Sequence, residues 1–317
     1  MKAASTPRAW QVLLAFGIIY FVWGSTFLAI RIGVREVPPF LLAAIRFVVA
    51  GAVLYGWTRA RGTPSPTLRE WGGASLIAFP VFVLDFGLVF WAEQRVPSGL
   101  TAVMMATIPA FMALSEIAIL KTQRLTLRLA LALLVGMAGV TVLVARGMSF
   151  GGTAVDPAGA CALVVAAISW SIAAALNRKV PLPVVKSMSS AAQMLAGGVW
   201  LTLTAVLLGE FHGFDARTVS IRAWLALAYL TVAGSIFAYT AYVWLLHHES
   251  PTKVGTYAYV NPVIAVVLGH FFAGEAVGPR TAIGTLFVLL SVVVITTAPA
   301  KKVEPVSFRE ADELAES

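Results

Sequence analysis

An all-α integral membrane fold, ten transmembrane helices in two inverted five-helix repeats, is what this sequence predicts, on three observations. First, 59% of its 317 residues are hydrophobic and only 12% are charged, with a mean hydropathy of +0.86. A water-soluble domain of that size has no interior large enough for so many apolar side chains. Second, ten apolar segments approach the roughly 20 residues a helix needs to cross the hydrocarbon. Third, the second half of the chain repeats landmarks of the first. The stretch Trp91–Pro109, WAEQRVPSGLTAVMMATIP, returns 153 positions later as Trp244–Pro262, WLLHHESPTKVGTYAYVNP.

The spans fall near 10–34, 40–58, 71–92, 98–120, 126–145, 157–177, 187–208, 222–246, 253–274 and 281–298. Lys2 and Arg8 precede the first run, which lacks a small-x-small cleavage site, so Trp10–Val34 reads as a retained span rather than a removed signal. Residues 1–9 form a cytoplasmic N-terminal segment, 10–145 and 157–298 the two repeats, and 299–317 a charged, aperiodic, disordered cytoplasmic tail. Of the 23 Lys and Arg residues, 15 lie on the N-terminal side of the membrane, 7 on the other, and Arg46 inside a span. That asymmetry places both termini in the cytoplasm of a multi-pass inner-membrane protein. The basic residues sit dispersed in short loops, so the net charge of +8 speaks for orientation in a lipid bilayer and not for nucleic acid. Cys161 is the sole cysteine, which excludes an intrachain disulfide and a cysteine metal cage.

The repeat extends beyond its longest match. At the offset of 153, Arg69 and Trp71 match Arg222 and Trp224; at 147, Trp23, Arg31 and Gly51 match Trp170, Arg178 and Gly198. Five spans is an odd number, so the two halves must cross in opposite directions. Inverted repeats are the plan of many secondary transporters, with the substrate site near the midplane between them. Duplication for stability alone is the competing explanation.

At this point the residues resemble a family. Trp23-Gly24-Ser25-Thr26 with Arg31 later in the span, Arg46 in the second span, prolines in the fourth and ninth, and Gly274-Glu275 after the ninth are similar to the EamA-like transporters of the drug/metabolite transporter superfamily. The resemblance covers roughly residues 10–298. It implies a carrier whose spans 1–4 and 6–9 surround a central cavity while 5 and 10 lie at the periphery, often an exporter of amino acids, other metabolites or drugs. One departure is that Leu120-Lys121-Thr122-Gln123-Arg124 replaces the acidic sequence expected after the fourth span, so only Glu275 keeps the acid, with a loop or helix-start role.

Arg46 is the costliest residue by position, because a charge well inside a span is disfavoured by about 2.5–3.5 kcal/mol on insertion scales. It stands six residues into the second span, and Asp85 seven residues before Ala92 in the third. At 1.5 Å per residue both lie about 10 Å from the same surface. Matching depth predicts an ion pair or a shared hydrogen-bonded cluster on the cavity wall. A clamp between two spans, and a seat for a substrate carboxylate, fit that placement equally well. The counterparts in the second half are Gln193 and Ala238, which makes the expected cavity electrically lopsided.

Other candidate substrate-binding residues follow from helical spacing. Ser235, Tyr239 and Tyr242 stand at i, i+4 and i+7; Tyr257 and Asn261 are four apart; Trp170 and Asn177 are seven apart; and Tyr20, Trp23 and Phe27 share a face. Trp23, Tyr239, Tyr257 and Asn261 are expected to line the cavity, suiting an apolar or aromatic solute with a polar group. Trp91 and Trp244, near span ends, read as interfacial anchors. Pro109 and Pro262 are matched bends that let the fourth and ninth spans flex during gating, or static kinks. Ala158, Ala162 and Ala166 form a small-residue packing stripe.

No catalytic group, cofactor or metal is expected. There is no P-loop and no Gly-x-Ser-x-Gly elbow, and the adjacent His247 and His248 point in different directions on a helix. The expected function is a secondary transporter moving a small organic solute by alternating access, with export implied by the resemblance. Proton coupling and a homodimer are compatible with this plan. The alternatives are an intramembrane enzyme acting on a lipid-linked substrate and a structural subunit of a membrane complex.

Overall fold

The computed structural model describes residues 8–96, 101, 104–122, 124–144, 156–264 and 279–297. Glu275, the 299–317 tail, and parts of the N-terminal segment and of the fourth and ninth spans lie outside the described residues.

The chain is an all-helical membrane protein of ten spans. Among the described residues, six helices are long and apolar enough to cross a membrane by themselves: α1 (Ala9–Gly33), α2 (Pro39–Ala60), α3 (Leu68–Glu93), α6 (Pro157–Leu176), α7 (Lys186–Leu207) and α8 (Ile221–His248). The others are α4, described continuously over Ile108–Leu120, α5 (Leu127–Val144), α9, which starts at Pro251–Val254, and α10 (Pro279–Thr296). Their starts carry local signals. Thr67 and Glu70 form a reciprocal capping box on α3, Ser220 Oγ accepts from the Ala223 amide at the head of α8, and Asp156 precedes Pro157 at the head of α6. Large apolar side chains such as Leu13, Leu131, Val199 and Leu225 are exposed on the outer surface, where a soluble protein would place polar groups.

The repeat is written into the backbone. Shifted by 147, Pro39–Ala60 falls on Lys186–Leu207, the bounds of α7. Both α3 and α8 widen into π-helix, over Phe79–Gly87 and Leu230–Tyr239, and a shift of 153 nearly superposes these segments too. The same shift relates two ring stacks, the Arg95 guanidinium 3.9 Å from the Trp91 ring centroid and the His248 ring 4.1 Å from that of Trp244. Helices α2 and α7 cross closely at the matched glycines. A Cβ on Gly51 would stand 2.9 Å from the Leu195 amide nitrogen, and one on Gly198 would stand 2.5 Å from Val48 Cγ2. Helices α5 and α10 pack on each other, with Ser291 Oγ donating to the Ala132 carbonyl at 2.6 Å.

Helices α4 and α9 are broken, although not at equivalent points. In α4 the chain turns at Ala106–Thr107 and restarts at Ile108, so Pro109 occupies a first helical turn, where a missing amide costs nothing. In α9 the turn is at Gly255–Thr256, and Pro262 lies within the following 257–264 helix. At both turns a threonine hydroxyl, Thr107 or Thr256, donates to the carbonyl three residues earlier.

Candidate functional site

Where the two repeats meet, aromatic rings from five helices interlock. Trp23 of α1 touches Trp170 of α6 edge to face at 5.6 Å between centroids, Tyr242 of α8 at 5.3 Å and Tyr257 of α9 at 4.7 Å. Trp170 also stacks against Tyr242 at 4.8 Å and meets Phe86 of α3 edge-on at 5.5 Å. Tyr239 joins through Tyr242 and Phe82. Edge-to-face pairs of this kind are favoured by the ring quadrupole and fix one another's rotamers.

Against this layer lies a cavity of about 60 Å³, lined by Trp23, Thr26, Asp85, Phe86, Trp170, Tyr257 and Asn261, with Pro262 and apolar neighbours. A liquid water takes about 30 Å³ and ligand pockets span about 300–1,000 Å³, so the cavity is larger than a water and smaller than an ordinary ligand pocket. The lining runs from Trp23 to Ile30 on α1 and from Asp85 to Val89 on α3, toward the membrane face that carries Glu36 and Glu210. Gly24 sets the α1–α9 spacing there, since a Cβ at Gly24 would come 2.8 Å from Ile264 Cβ.

Toward the opposite face, hydrogen bonds tie α1 and α4 to α9. Tyr20 and Thr256 share a hydroxyl hydrogen bond at 2.6 Å between α1 and α9. Buried Glu116 at the end of α4 accepts from the Thr252 amide at 3.2 Å and its hydroxyl at 2.7 Å, tying α4 to the head of α9. Lys179 donates to the Ile119 carbonyl, and burial lowers the neighbouring Arg178's pKa against the opposing pull of Glu116 and Glu249. On the cavity face, two carboxylates cap helices of the other repeat. Glu210 accepts from the Phe40 and Leu41 amides at the head of α2, and Glu36 accepts from the Ser220 amide and hydroxyl at the head of α8.

Arg46 and Asp85 do not form an ion pair; among the described residues the ion pairs are Arg95–Asp156 and Lys253–Glu249. Arg46 Nε donates to Ser235 Oγ at 2.7 Å, and its guanidinium lies 4.6, 5.1 and 5.8 Å from the ring centroids of Phe47, Phe86 and Phe90. It therefore stands behind Phe86, outside the described cavity lining, while Asp85 faces the cavity. The expectation rested on equal depth, which leaves the direction of each side chain undetermined, and the π-helix around Asp85 further shifts its direction from that of an ordinary α-helix.

Gln193, the counterpart of Arg46, is the hub of a buried network. Its Oε1 accepts from Tyr239 Oη at 2.8 Å and Asn177 Nδ2 at 3.1 Å, and its Nε2 donates to Ser189 Oγ. Thus α8 offers Ser235 to the first repeat's polar residue and Tyr239 to the second's. Ser235, Gln193 and Arg46 form the frame behind the lining, whereas Trp23, Asp85, Trp170, Tyr257 and Asn261 face the cavity.

Sequence reasoning missed three participants. Phe86 bridges Arg46 and the cavity; Gly234 leaves room for Arg46, since its Cβ would stand 2.8 Å from Nη2; and Glu116 closes the far face. None of the three is signalled locally, since each acts on a residue distant in the chain or through a side-chain direction that spacing does not give. No group of three or more His, Cys, Asp or Glu among the described residues could hold a metal ion.

A cavity where two repeats of apolar spans meet is the arrangement of a membrane transporter rather than an enzyme. The EamA-like transporter family model matches residues 9–145 and again 157–297, so the chain belongs to that family. Among its relatives, the uncharacterized inner membrane transporter YedA of Escherichia coli (strain K12) is 36% identical over 302 residues, covering 92% of this chain and 95% of that one. A probable amino-acid metabolite efflux pump of Salmonella typhimurium is 23% identical over 277 residues, covering 86% and 90%. A solved crystal structure matches the fold with a TM-score of 0.72 at 23% identity, covering 92% of this chain and 97% of that one.

Proposed function

We propose that this protein is a secondary carrier that exports a small organic solute across the inner membrane by alternating access, without ATP hydrolysis. The observation that carries the reading is the cavity at the repeat interface, bounded by aromatic rings from both repeats, reaching toward one face and closed at the other by Tyr20–Thr256 and Glu116–Thr252. Inverted repeats have two arrangements of nearly equal energy, each the mirror of the other in function, and exchange between them carries the site from one side to the other. The excess of Lys and Arg on the face bearing both termini makes that face cytoplasmic, and so makes this conformation the outward one. Trp23, Asp85, Trp170, Tyr257 and Asn261 are the residues proposed to touch the solute. Arg46, Gln193, Ser235, Tyr239 and Tyr242 hold that wall in place. The turns before Pro109 and ahead of Pro262 are the proposed hinges of α4 and α9.

Counterflow in proteoliposomes tests this. Labelled amines, amino acids and neutral aromatic metabolites are offered against the same unlabelled solute inside. Saturable exchange without ATP is expected, and its absence for every solute, with protein shown to be folded, overturns the carrier reading.

A further inference from the structure

Three polar atoms around the cavity have no partner in the fold: Asp85 Oδ1 and Asn261 Oδ1, which accept, and Trp170 Nε1, which donates. Their residues are only 4%, 6% and 2% exposed, so they cannot turn to bulk water for satisfaction. Buried polar atoms left so are rare in native proteins and mark places where something else binds. The two acceptors stand among the rings of Trp23, Phe86 and Tyr257, whose π faces attract positive charge. Asp85 is the sole charged side chain among the described lining residues, and Arg46, the basic residue of the neighbouring helix, is engaged by Ser235 behind Phe86.

We propose that the solute this cavity selects is an organic cation of the amine class, with its ammonium against Asp85 and Asn261 and its apolar body against the aromatic layer. This rests on the carrier reading and narrows its substrate. A neutral solute gives an ionised Asp85 no counter-charge, so in a dry site the carboxyl must then keep its proton, whereas a cation lets it ionise. A carboxylate solute, or the acid end of a zwitterion, meets no cation among the described lining residues. An organic cation compensates Asp85 and suits the ring faces, one that carries N–H groups also satisfies both acceptors, and Trp170 Nε1 supplies one donor for a hydroxyl or carbonyl on the body.

The test uses benzyltrimethylammonium, its uncharged isostere neopentylbenzene, and phenylacetate, titrated into the purified full-length protein in detergent with tryptophan fluorescence as readout. The permanent charge keeps the cation from crossing bilayers as a free base in the parallel counterflow assay. The cation is expected to bind saturably and at least about tenfold tighter than either of the others, a difference of about 1.4 kcal/mol. Asp85→Asn is expected to reduce the preference of the cation over neopentylbenzene to less than about twofold, a difference under about 0.4 kcal/mol. Equal or tighter binding of the neutral or anionic probe to the unmodified protein overturns the proposal, whatever the folding of the variant, and so does a cation preference that survives in Asp85→Asn. Counterflow separates the two readings. Saturable exchange of neutral or acidic solutes but not cations sinks the amine site and spares the carrier, whereas selective cation binding without exchange of any solute does the reverse.

Discussion

Trp23 and Trp170, equivalent positions of the two repeats, meet edge to face at 5.6 Å, yet only one of their indole nitrogens is bonded: Trp23 Nε1 donates to the Gly234 carbonyl at 3.1 Å, and Trp170 Nε1 has no partner. The repeats supply the same ring to the same place, and the difference between them is what the cavity can use. A symmetric scaffold thereby carries an asymmetric site, with Arg46 and Asp85 in one half facing Gln193 and Ala238 in the other.

Replacing either indole by phenyl removes the same volume, so the difference between the two variants isolates the hydrogen bond. Trp23→Phe loses the bond to the Gly234 carbonyl while Trp170→Phe loses none, so the former should cost about 1 kcal/mol more. Thermal melts in one detergent compare them, and equal losses would contradict the assigned bond.

Gln193 satisfies Tyr239 and Asn177 together, so Gln193→Leu leaves two buried polar groups without a partner. Each such group costs about 1–3 kcal/mol. Ser190 on the same helix has an unpartnered Oγ, so Ser190→Ala removes nothing that is bonded. A large loss of thermal stability in the first variant and almost none in the second is expected.

Gly234→Ala should strike the Arg46 seat directly, because the new methyl would stand 2.8 Å from Nη2 and 3.3 Å from Thr26 Cγ2. Overpacking of this kind costs about 1–3 kcal/mol. Gly56 has open space around it, and Gly56→Ala should instead be neutral or stabilising by up to about 1 kcal/mol. Melting temperatures that move in the same direction for both would remove the argument for a fitted guanidinium.

Span placement and the repeat were legible because burial in lipid imposes length and apolarity on each helix, and because landmark residues survive in both halves. The predicted 40–58 and 187–208 became Pro39–Ala60 and Lys186–Leu207. Trp23, Trp170, Tyr242 and Tyr257 could be nominated from spacing alone, since aromatic residues at i, i+4 and i+7 share a face on an ordinary helix. Contacts that depend on azimuth could not. The π-helical stretches of α3 and α8 break the 3.6-residue phase just where Asp85 and Ser235 sit, so depth predicted an Arg46–Asp85 pair and the structure paired Arg46 with Ser235. Glu116 was invisible for another reason: its partner, Thr252, is 136 residues away.

The loop carboxylates should titrate in opposite senses. Bonds from the Ser220 amide and hydroxyl pull the exposed Glu36 below its ordinary pKa of 4.5, so the folded state binds fewer protons there than the unfolded chain does. Its stabilisation is present above 4.5 and lost as the pH falls through the lowered value. Burial pushes Glu210 above 4.5 despite the Leu41 and Phe40 amides, so its contribution declines as the pH rises from 4.5 through the raised value. The melting difference between the unmodified protein and Glu36→Gln should therefore grow from pH 3 to pH 7, and that for Glu210→Gln should shrink. Slopes of the same sign would show that one of the two caps is misassigned.

The seal at the face opposite the cavity predicts a conformational phenotype. Glu116 holds Thr252 by two hydrogen bonds, one of them to a backbone amide at the head of α9, and Met112 packs one turn away against Gly255, where a Cβ would stand 2.5 Å from its sulfur. Glu116→Gln removes the charge from both bonds and weakens them by about half, because charge-assisted hydrogen bonds are roughly twice as strong as neutral ones. The closed arrangement loses on the order of 1–2 kcal/mol relative to the open one, about a 5–30-fold shift in population. A reporter follows from the geometry: Met112→Cys, in a background carrying Cys161→Ala, places one thiol at the seal. Its alkylation by a membrane-impermeant maleimide should be slow with Glu116 present and several-fold faster in Glu116→Gln. Labelling must come from the face bearing Glu116, and acceleration from the opposite face would mean that the substitution opened the wrong side. If the rate does not change from either face while the protein stays folded, the Glu116–Thr252 contact fastens the helices without taking part in opening, and the seal must be sought in Tyr20–Thr256 instead.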